Sequence, residues 1–241
     1  MGKILTDTLA KFRAIIAPHP YLDEPVSVVA RPLTAEEAIG RPEHDDYPLL
    51  KGKERMMEAR FRGAAGQAYT DQIGNFEGTL GDVLALPMDS NYHRAVLVAT
   101  VNAVLRQLGI IDKSRHCKDE DPVTCAPKLP DTLAAFAPER VGMIGHQPRL
   151  LEVVSENFQV RICDRDPDQI STKKSGVIVE PPEAWPDIVS WCDLVLATGT
   201  TLVNDTIDHF VVPGKPTVFY GITISGAASL LNLNHFCPLG R

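Results

Sequence analysis

The chain has no apolar run approaching the roughly 20 residues needed to cross a bilayer. Its longest candidate, Ala95 to Leu105, is interrupted by Thr100 and Asn102. A secretory leader is missing too: Met1-Gly2-Lys3-Ile4-Leu5-Thr6-Asp7 carries Asp7 where a leader needs an apolar core. Basic residues are in deficit, 24 Lys and Arg against 31 Asp and Glu for a net charge of −7, which leaves no electrostatic footprint for nucleic acid or an acidic membrane surface. These absences predict a cytoplasmic protein with no nucleic-acid partner and no membrane partner. Five cysteines in a chain without a leader are an odd number and do not make a disulfide framework. There is no repeat, no low-complexity tract, no Ser-His-Asp elbow, no P-loop and no His-Glu-x-x-His, so nothing demands an enzyme.

What is present is an ordinary globular composition, 44% hydrophobic and 23% charged over 241 residues, enough for one large or two ordinary domains. One composition shift runs from Lys113 to Arg140, where Pro122, Pro127, Pro130 and Pro138 read as a semi-rigid connection. A boundary near residue 128 divides the chain into an α+β domain, 1–127, and an α/β domain, 128–241. In the first, Leu5, Leu9, Phe12 and Ile16 make a helical stripe ended by Pro18 and Pro20, and Val26 to Ala30 reads as a strand. Thr79 and Asp82 resemble a capping box. Asn91 to Leu108 is the strongest helix, with Ser90 as its cap, Leu97, Val101, Val104, Leu105 and Leu108 on one face, and Gly109 beyond its end.

The second half alternates. Val141–Ile144, Val160–Cys163, Leu194–Ala197 and Thr217–Tyr220 read as strands. Pro148 to Asn157, a segment from about Thr201, and Gly226–Leu231 read as helices. Such alternation predicts a parallel sheet with right-handed crossovers. Ligands then sit outside the carboxyl ends of the strands, which here break at Gly145-His146, at Thr198-Gly199-Thr200 and at Gly221-Ile222-Thr223. The first break has only part of a dinucleotide fingerprint, since His146 and Pro148 stand where small flexible residues belong, although Asp164 matches the usual ribose-binding acid. Alternatively, Gly145 only permits a tight turn and Asp164 caps the Arg165-Asp166-Pro167 loop. His146, placed by position at the crevice and exposed, is a candidate acid/base and metal ligand. Asn204 and Asp205 fall one turn further on.

Cys163 and Cys192 sit in apolar surroundings and read as small buried hydrophobes. His116, Cys117 and Cys125 share one loop with three carboxylates, and Cys237 lies in the tail with His235. Thiolate with imidazole suits zinc, copper or nickel, but the spacing is not that of a zinc ribbon, and two unrelated loops carrying free thiols explain it equally. In the first half, the stretches around Gly66–Asp71 and Gly74–Leu80 are unusually polar. Asp71, Asn75, Asn91 and Arg94 either face the second domain across a cleft or serve as turn and cap residues, the safer reading for Asn75.

Taken together, Arg60 to Asp71, Gly78 to Leu84, Asn91 to Gly109, His116-Cys117, Ile144 to Pro148, Ala197 to Asn204 and Phe236 to Gly240 resemble a small prokaryotic family of unknown function assigned to heavy-metal chelation. The resemblance spans nearly the whole chain. It implies an N-terminal domain similar to the enolase N-terminal domain, a Rossmann-like second domain, and a site between them. The resulting expectation is a metal-handling protein that binds a transition metal or a metal-bearing small molecule in the interdomain cleft. Gly145, His146, Asp164, Thr198, Gly199, Thr200, Asn204, Gly221, Thr223, Asp71 and Asn91 would line the ligand, and His146, His116, Cys117, Cys125 and Cys237 are the metal candidates. A homo-oligomer is compatible with this. The alternative is a Rossmann-type enzyme acting on a small anionic metabolite or nucleotide, with His146 as acid/base.

Overall fold

The computed structural model describes residues 1–29, 40, 43 and 54–241. Helix α1 (Lys3–Ile16) buries Leu5, Phe12 and Ile16, three members of the stripe. Strands β1 (Pro25–Val29), β2 (Arg55–Phe61), β3 (Ala64–Thr70) and β4 (Asn75–Thr79) then make an antiparallel sheet in the order β3-β2-β1-β4. Of these only β1 is legible as a strand beforehand. The β2–β3 hairpin turns on Arg62 and Gly63, both at positive φ, the geometry that suits a two-residue connection. Asn75 opens β4 and is not a turn or cap residue.

Thr79 and Asp82 form the expected capping box at α2 (Leu80–Ala85), the hydroxyl accepting from the Asp82 amide at 3.1 Å and the carboxylate from the Thr79 amide at 2.8 Å. Helix α3 (Asn91–Gln107) is capped by Ser90, and Gly109 leaves it at φ 70°. The expectation of a single apolar face falls short. Asn91 and every residue from Arg94 to Leu105 are buried, because α3 is covered on opposite sides by the antiparallel sheet and by the second half of the chain. On the sheet side the approach is close: a Cβ on Gly66 of β3 would lie 2.2 Å from the Ala103 nitrogen and 2.4 Å from the Ala99 oxygen.

The stretch read as a connection is mostly helical. Helices α4 (Asp121–Cys125) and α5 (Leu129–Ala134) flank a 3-10 turn, and Pro122, Pro127 and Pro130 sit in their first turns, where a missing N–H costs nothing. Ala126, Leu129 and Leu133 pack with Leu150, Leu151 and Val154 of the next helix.

The second sheet comprises β5 (Arg140–Ile144), β6 (Gln159–Cys163), β7 (Lys173–Lys174), β8 (Val177–Glu180), β9 (Leu194–Thr198), β10 (Thr217–Tyr220) and β11 (Asn234–Phe236). Their order is β11-β10-β9-β5-β6-β8-β7, parallel throughout except that β7 runs antiparallel to β8. Helices α6 (Pro148–Asn157), α7 (Trp185–Trp191), α8 (Thr200–Val203) and α9 (Ser225–Leu231) connect or cover them. The segment expected as a helix from Thr201 is a single turn.

Both faces of this sheet are apolar. Val141, Met143, Leu194 and Leu196 face α5 and α6, while Val195, Ala197 and Phe219 join a core that runs through α3 to Phe12 and Phe61 of the first half. Burial on both sides is what lets these strands read as near-continuous apolar runs. No described helix is long and apolar enough to cross a membrane.

Candidate functional site

Strand β5 pairs with β6 on one side and β9 on the other, so the topological switch lies between β5 and β9 and the crevice opens outside their carboxyl ends. Two glycine turns meet there. Gly145 has φ 90°, and a Cβ on it would come within 2.8 Å of Thr198 Cγ2 and 3.0 Å of the Tyr220 hydroxyl. That hydroxyl donates to the Gly145 carbonyl at 2.9 Å, fixing the turn from beneath.

Most of the polar groups gathered here hold the two sheets together. On β3, an edge strand, the outward Tyr69 amide donates to Thr223 Oγ1 at 3.0 Å and the Gln67 amide to the Ser114 carbonyl at 2.8 Å. Asn91 Nδ2 donates to Asp71 Oδ1 at 2.6 Å and to Asn204 Oδ1 at 3.2 Å. Arg94 Nε reaches the Val203 carbonyl at 2.6 Å. Asn91 and Arg94 therefore do bridge to the second half of the chain, while Asp71 holds Asn91 from the first. The Thr198–Thr201 turn satisfies itself: Thr198 Oγ1 donates to Thr200 Oγ1 at 3.2 Å, and Thr201 Oγ1 donates to the Thr198 carbonyl at 2.7 Å. Gly199 is there because a Cβ would lie 2.9 Å from Ile224.

His146 is not exposed, as its position suggested, but 8% accessible. Its backbone N–H donates to Asp164 Oδ2 at 2.5 Å, and the other Asp164 oxygen accepts from the Asp166 amide at 2.7 Å, the loop cap read from the sequence. The start of α6 is closed to a pyrophosphate bound in the dinucleotide manner. Pro148 has no N–H, and the Leu150 amide already donates to Gln147 Oε1 at 2.6 Å.

The feature that motif reading misses is Glu54. The β2–β3 register pairs Arg55 with Thr70, so Glu54 stands opposite Asp71 at the end of the hairpin that meets the crevice. Glu54 and Asp164 come from separate parts of the chain, yet the charge of Asp164 is felt at the Glu54 carboxylate. Burial first, then the charges of Asp164 and Asp71, push the Glu54 carboxyl up to about 7. The charge of Arg165 opposes this rise, but among the described residues the Glu54 carboxylate makes no hydrogen bond or close ion pair. Burial also raises the Asp164 carboxyl. No spacing rule points to Glu54, because its role depends on pairing across a hairpin that is itself unread.

Asn102, noted in the sequence only as a break in an apolar run, proves central to the packing around the crevice. Fully buried in α3, its Nδ2 donates to the Gln67 carbonyl at 2.9 Å and the Thr223 carbonyl at 3.2 Å, and its Oδ1 accepts from the Gly226 amide at 2.8 Å.

The thiols divide as expected in part. Cys163 and Cys192 are buried. Cys117, Cys125 and Cys237 are not in unrelated loops: they lie near enough that the charge of one is felt by the next, with Cys117 itself buried. Burial pushes the Cys117 thiol up, and Cys125 and Cys237 up to about 11, so all three are held as neutral thiols. His116 Nδ1 donates to the Cys117 carbonyl at 2.5 Å, and burial keeps the ring neutral by lowering its pKa. His235 Nε2 donates to the Gly221 carbonyl at 2.9 Å. Among the described residues, no group of three or more His, Cys, Asp or Glu is arranged to hold a metal ion. His146 stands apart from the thiols, with Asp164.

These features define a two-sheet α/β protein whose Rossmann-like parallel sheet presents an acidic crevice to an antiparallel sheet. Within that class, residues 129–233 match the model of the DUF364 family, described as "Putative heavy-metal chelation". Two solved structures, both of proteins of unknown function from the DUF364 family, are similar. That from Pyrococcus horikoshii is 17% identical, with a TM-score of 0.55 over 92% of this chain and 80% of the other. That from Desulfitobacterium hafniense DCB-2 is 15% identical, with a TM-score of 0.54 over 94% of this chain and 82% of the other. At these identities the likeness is one of fold, and it agrees with the family resemblance carried by the motifs. No curated protein matches the chain.

Proposed function

We propose that the crevice takes up a transition metal already carried by a small molecule, as a cationic complex recognised by Glu54, Asp71 and Asp164. The observation that supports this is the half-buried Glu54 carboxylate, which among the described residues accepts no hydrogen bond and feels Asp164, Asp71 and Asp166 against Arg165 alone. Such a group is costly alone and gains from a positively charged guest. A bare soft ion would need several donors converging at roughly 2.0–2.3 Å, which the described residues do not offer. Carboxylates also suit hard cations better than heavy metals. In this reading the metal's soft ligands belong to the small molecule, and the protein supplies charge and shape. His146, beside Asp164, is the group placed to exchange a proton with the guest. An anionic metabolite or a nucleotide fits less well, since the crevice is acidic and the start of α6 is capped by its own side chain.

The test is elemental analysis with native mass spectrometry on protein purified anaerobically without chelator. Wild type is compared with Glu54→Gln and with a Cys117/Cys125/Cys237→Ser variant. Metal together with an organic mass, kept by the triple variant and lost from Glu54→Gln, supports the reading. Metal lost only from the triple variant moves the site to the thiols. A wild type that takes up no cobalt, nickel, copper, iron or zinc, offered free or as cationic one-to-one histidine complexes, overturns it.

A further inference from the structure

At the opposite end of the β2–β3 hairpin from Glu54 and Asp71 lies a second concavity, of about 500 Å³. Its walls are the hairpin turn, the last turn of α3, Ser114 and Arg115, and the C-terminal segment. Among the described residues four arginines line it, Arg60, Arg106, Arg115 and Arg241, and no acidic residue does. In a chain of net charge −7 such a concentration of one sign is itself informative.

The partners of these arginines do not neutralise them. Arg60 and Arg115 share one carboxylate, that of Glu58, at 2.7 and 3.6 Å. Arg241 pairs with Asp121 at 3.0 Å. Arg106 donates to the backbone carbonyl of Asp112, a dipole and not a charge. Four guanidinium groups thus face two side-chain carboxylates. The side chains of Arg60, Arg115 and Arg241 are 66%, 47% and 54% exposed, so their free N–H groups are open to a ligand. The backbone around them is firmly set. Ser114 and Arg115 amides both donate to the Arg241 oxygen, at 3.0 and 2.7 Å, and the Ser114 hydroxyl donates to the Ala65 carbonyl at 2.6 Å. Guanidinium forks on a fixed frame are suited to bidentate capture of oxyanions.

We propose that this concavity is a binding site for a small molecule carrying at least two negative charges on oxygen, as in a phosphate ester or a polycarboxylate. It is separate from the acidic crevice and stands whatever that crevice binds. The test is titration calorimetry with inorganic pyrophosphate and with citrate, on wild type, Arg60→Gln/Arg106→Gln and Glu54→Gln. Saturable binding should weaken roughly ten-fold or more in the double variant, the loss expected for charge-assisted hydrogen bonds. It should fall as salt is added, and be unchanged in Glu54→Gln. Tighter pyrophosphate identifies a phosphate ligand, and tighter citrate a polycarboxylate. The proposal is overturned if neither probe gives saturable heat up to about 10 mM, or if the double variant binds as wild type does. Both arginines are at the surface, and an unchanged melting temperature confirms that the variant is folded.

Discussion

Replacing Asn102 by Ala should destabilise the protein as a whole without touching any ligand group. The side chain is fully buried in α3 and reaches β3 through the Gln67 carbonyl and the 222–226 segment through the Thr223 carbonyl and the Gly226 amide. Truncation strands the Gly226 N–H and removes the donor from at least one buried carbonyl, each costing about 1–3 kcal/mol. The void left by the amide adds a smaller cavity cost. The sum is about 4 kcal/mol, a large share of the roughly 5–15 kcal/mol that holds a domain folded. Urea unfolding followed by far-UV circular dichroism measures it, as a fall in midpoint with unchanged slope. Asn102→Asp should do no better, because a carboxylate accepts from Gly226 but cannot donate to Gln67 or Thr223. A loss below about 1 kcal/mol, within the range of an ordinary surface change, would refute the claim that this amide joins the two halves.

Thr100, two residues away on the same helix, is the counter-case. Its hydroxyl is buried without a hydrogen-bond partner, so Thr100→Val should be neutral or stabilising by up to about 1 kcal/mol in the same assay. Gly66→Ala should cost roughly 3 kcal/mol or more, because the added Cβ meets the backbone of α3 at Ala103 and Ala99, which cannot give way like a side-chain tip. Thermal melting would show that loss directly. Glu54 sets a pH dependence. Its carboxyl stands at about 7 against an ordinary 4.5, so the folded state holds the proton more tightly than the unfolded one. Stability from this group is complete below about pH 4.5 and is lost as pH rises through about 7, on the order of 3 kcal/mol in all. Urea midpoints at about pH 5 and about pH 8 should therefore differ more for wild type than for Glu54→Gln, and equal differences would contradict the placement of Glu54.

The parallel half was legible because its strands are buried on both faces and its helices begin with signals that carry a mechanism. Pro148 opens α6 with Gln147 capping it, and three of the four apolar runs end at a glycine, Gly145, Gly199 and Gly221. The antiparallel sheet was far less so. Strand β3, Ala-Ala-Gly-Gln-Ala-Tyr-Thr, is built of small residues because α3 lies against its backbone, which removes the β-branched signature of a strand. Without β3 there is no hairpin, and without the hairpin nothing sets Glu54 against Asp71. The proline-rich stretch misled for the opposite reason: proline density signals a linker only when the prolines are not opening helices. Cys117, Cys125 and Cys237 could not be related from spacing at all, since the meeting depends on where the C-terminal segment returns.

The crevice is best understood by separating what joins the sheets from what is left over. Asn91 is spent on Asp71 and Asn204, Arg94 on the Val203 carbonyl, Thr223 on Tyr69, and Tyr220 on Gly145. Each makes the geometry of the crevice rigid, and Asn91, Arg94 and Thr223 were already candidates in the sequence. Being well placed and well satisfied, these groups have little left to offer a guest. Glu54 differs on both counts. It sits outside every motif, and among the described residues its carboxylate feels Asp164 and Asp71 with no hydrogen-bond donor of its own. A fold tolerates a group that opposes its own stability chiefly where that group has another use. The acid that costs the fold the most is therefore the one on which recognition of a cationic guest should turn.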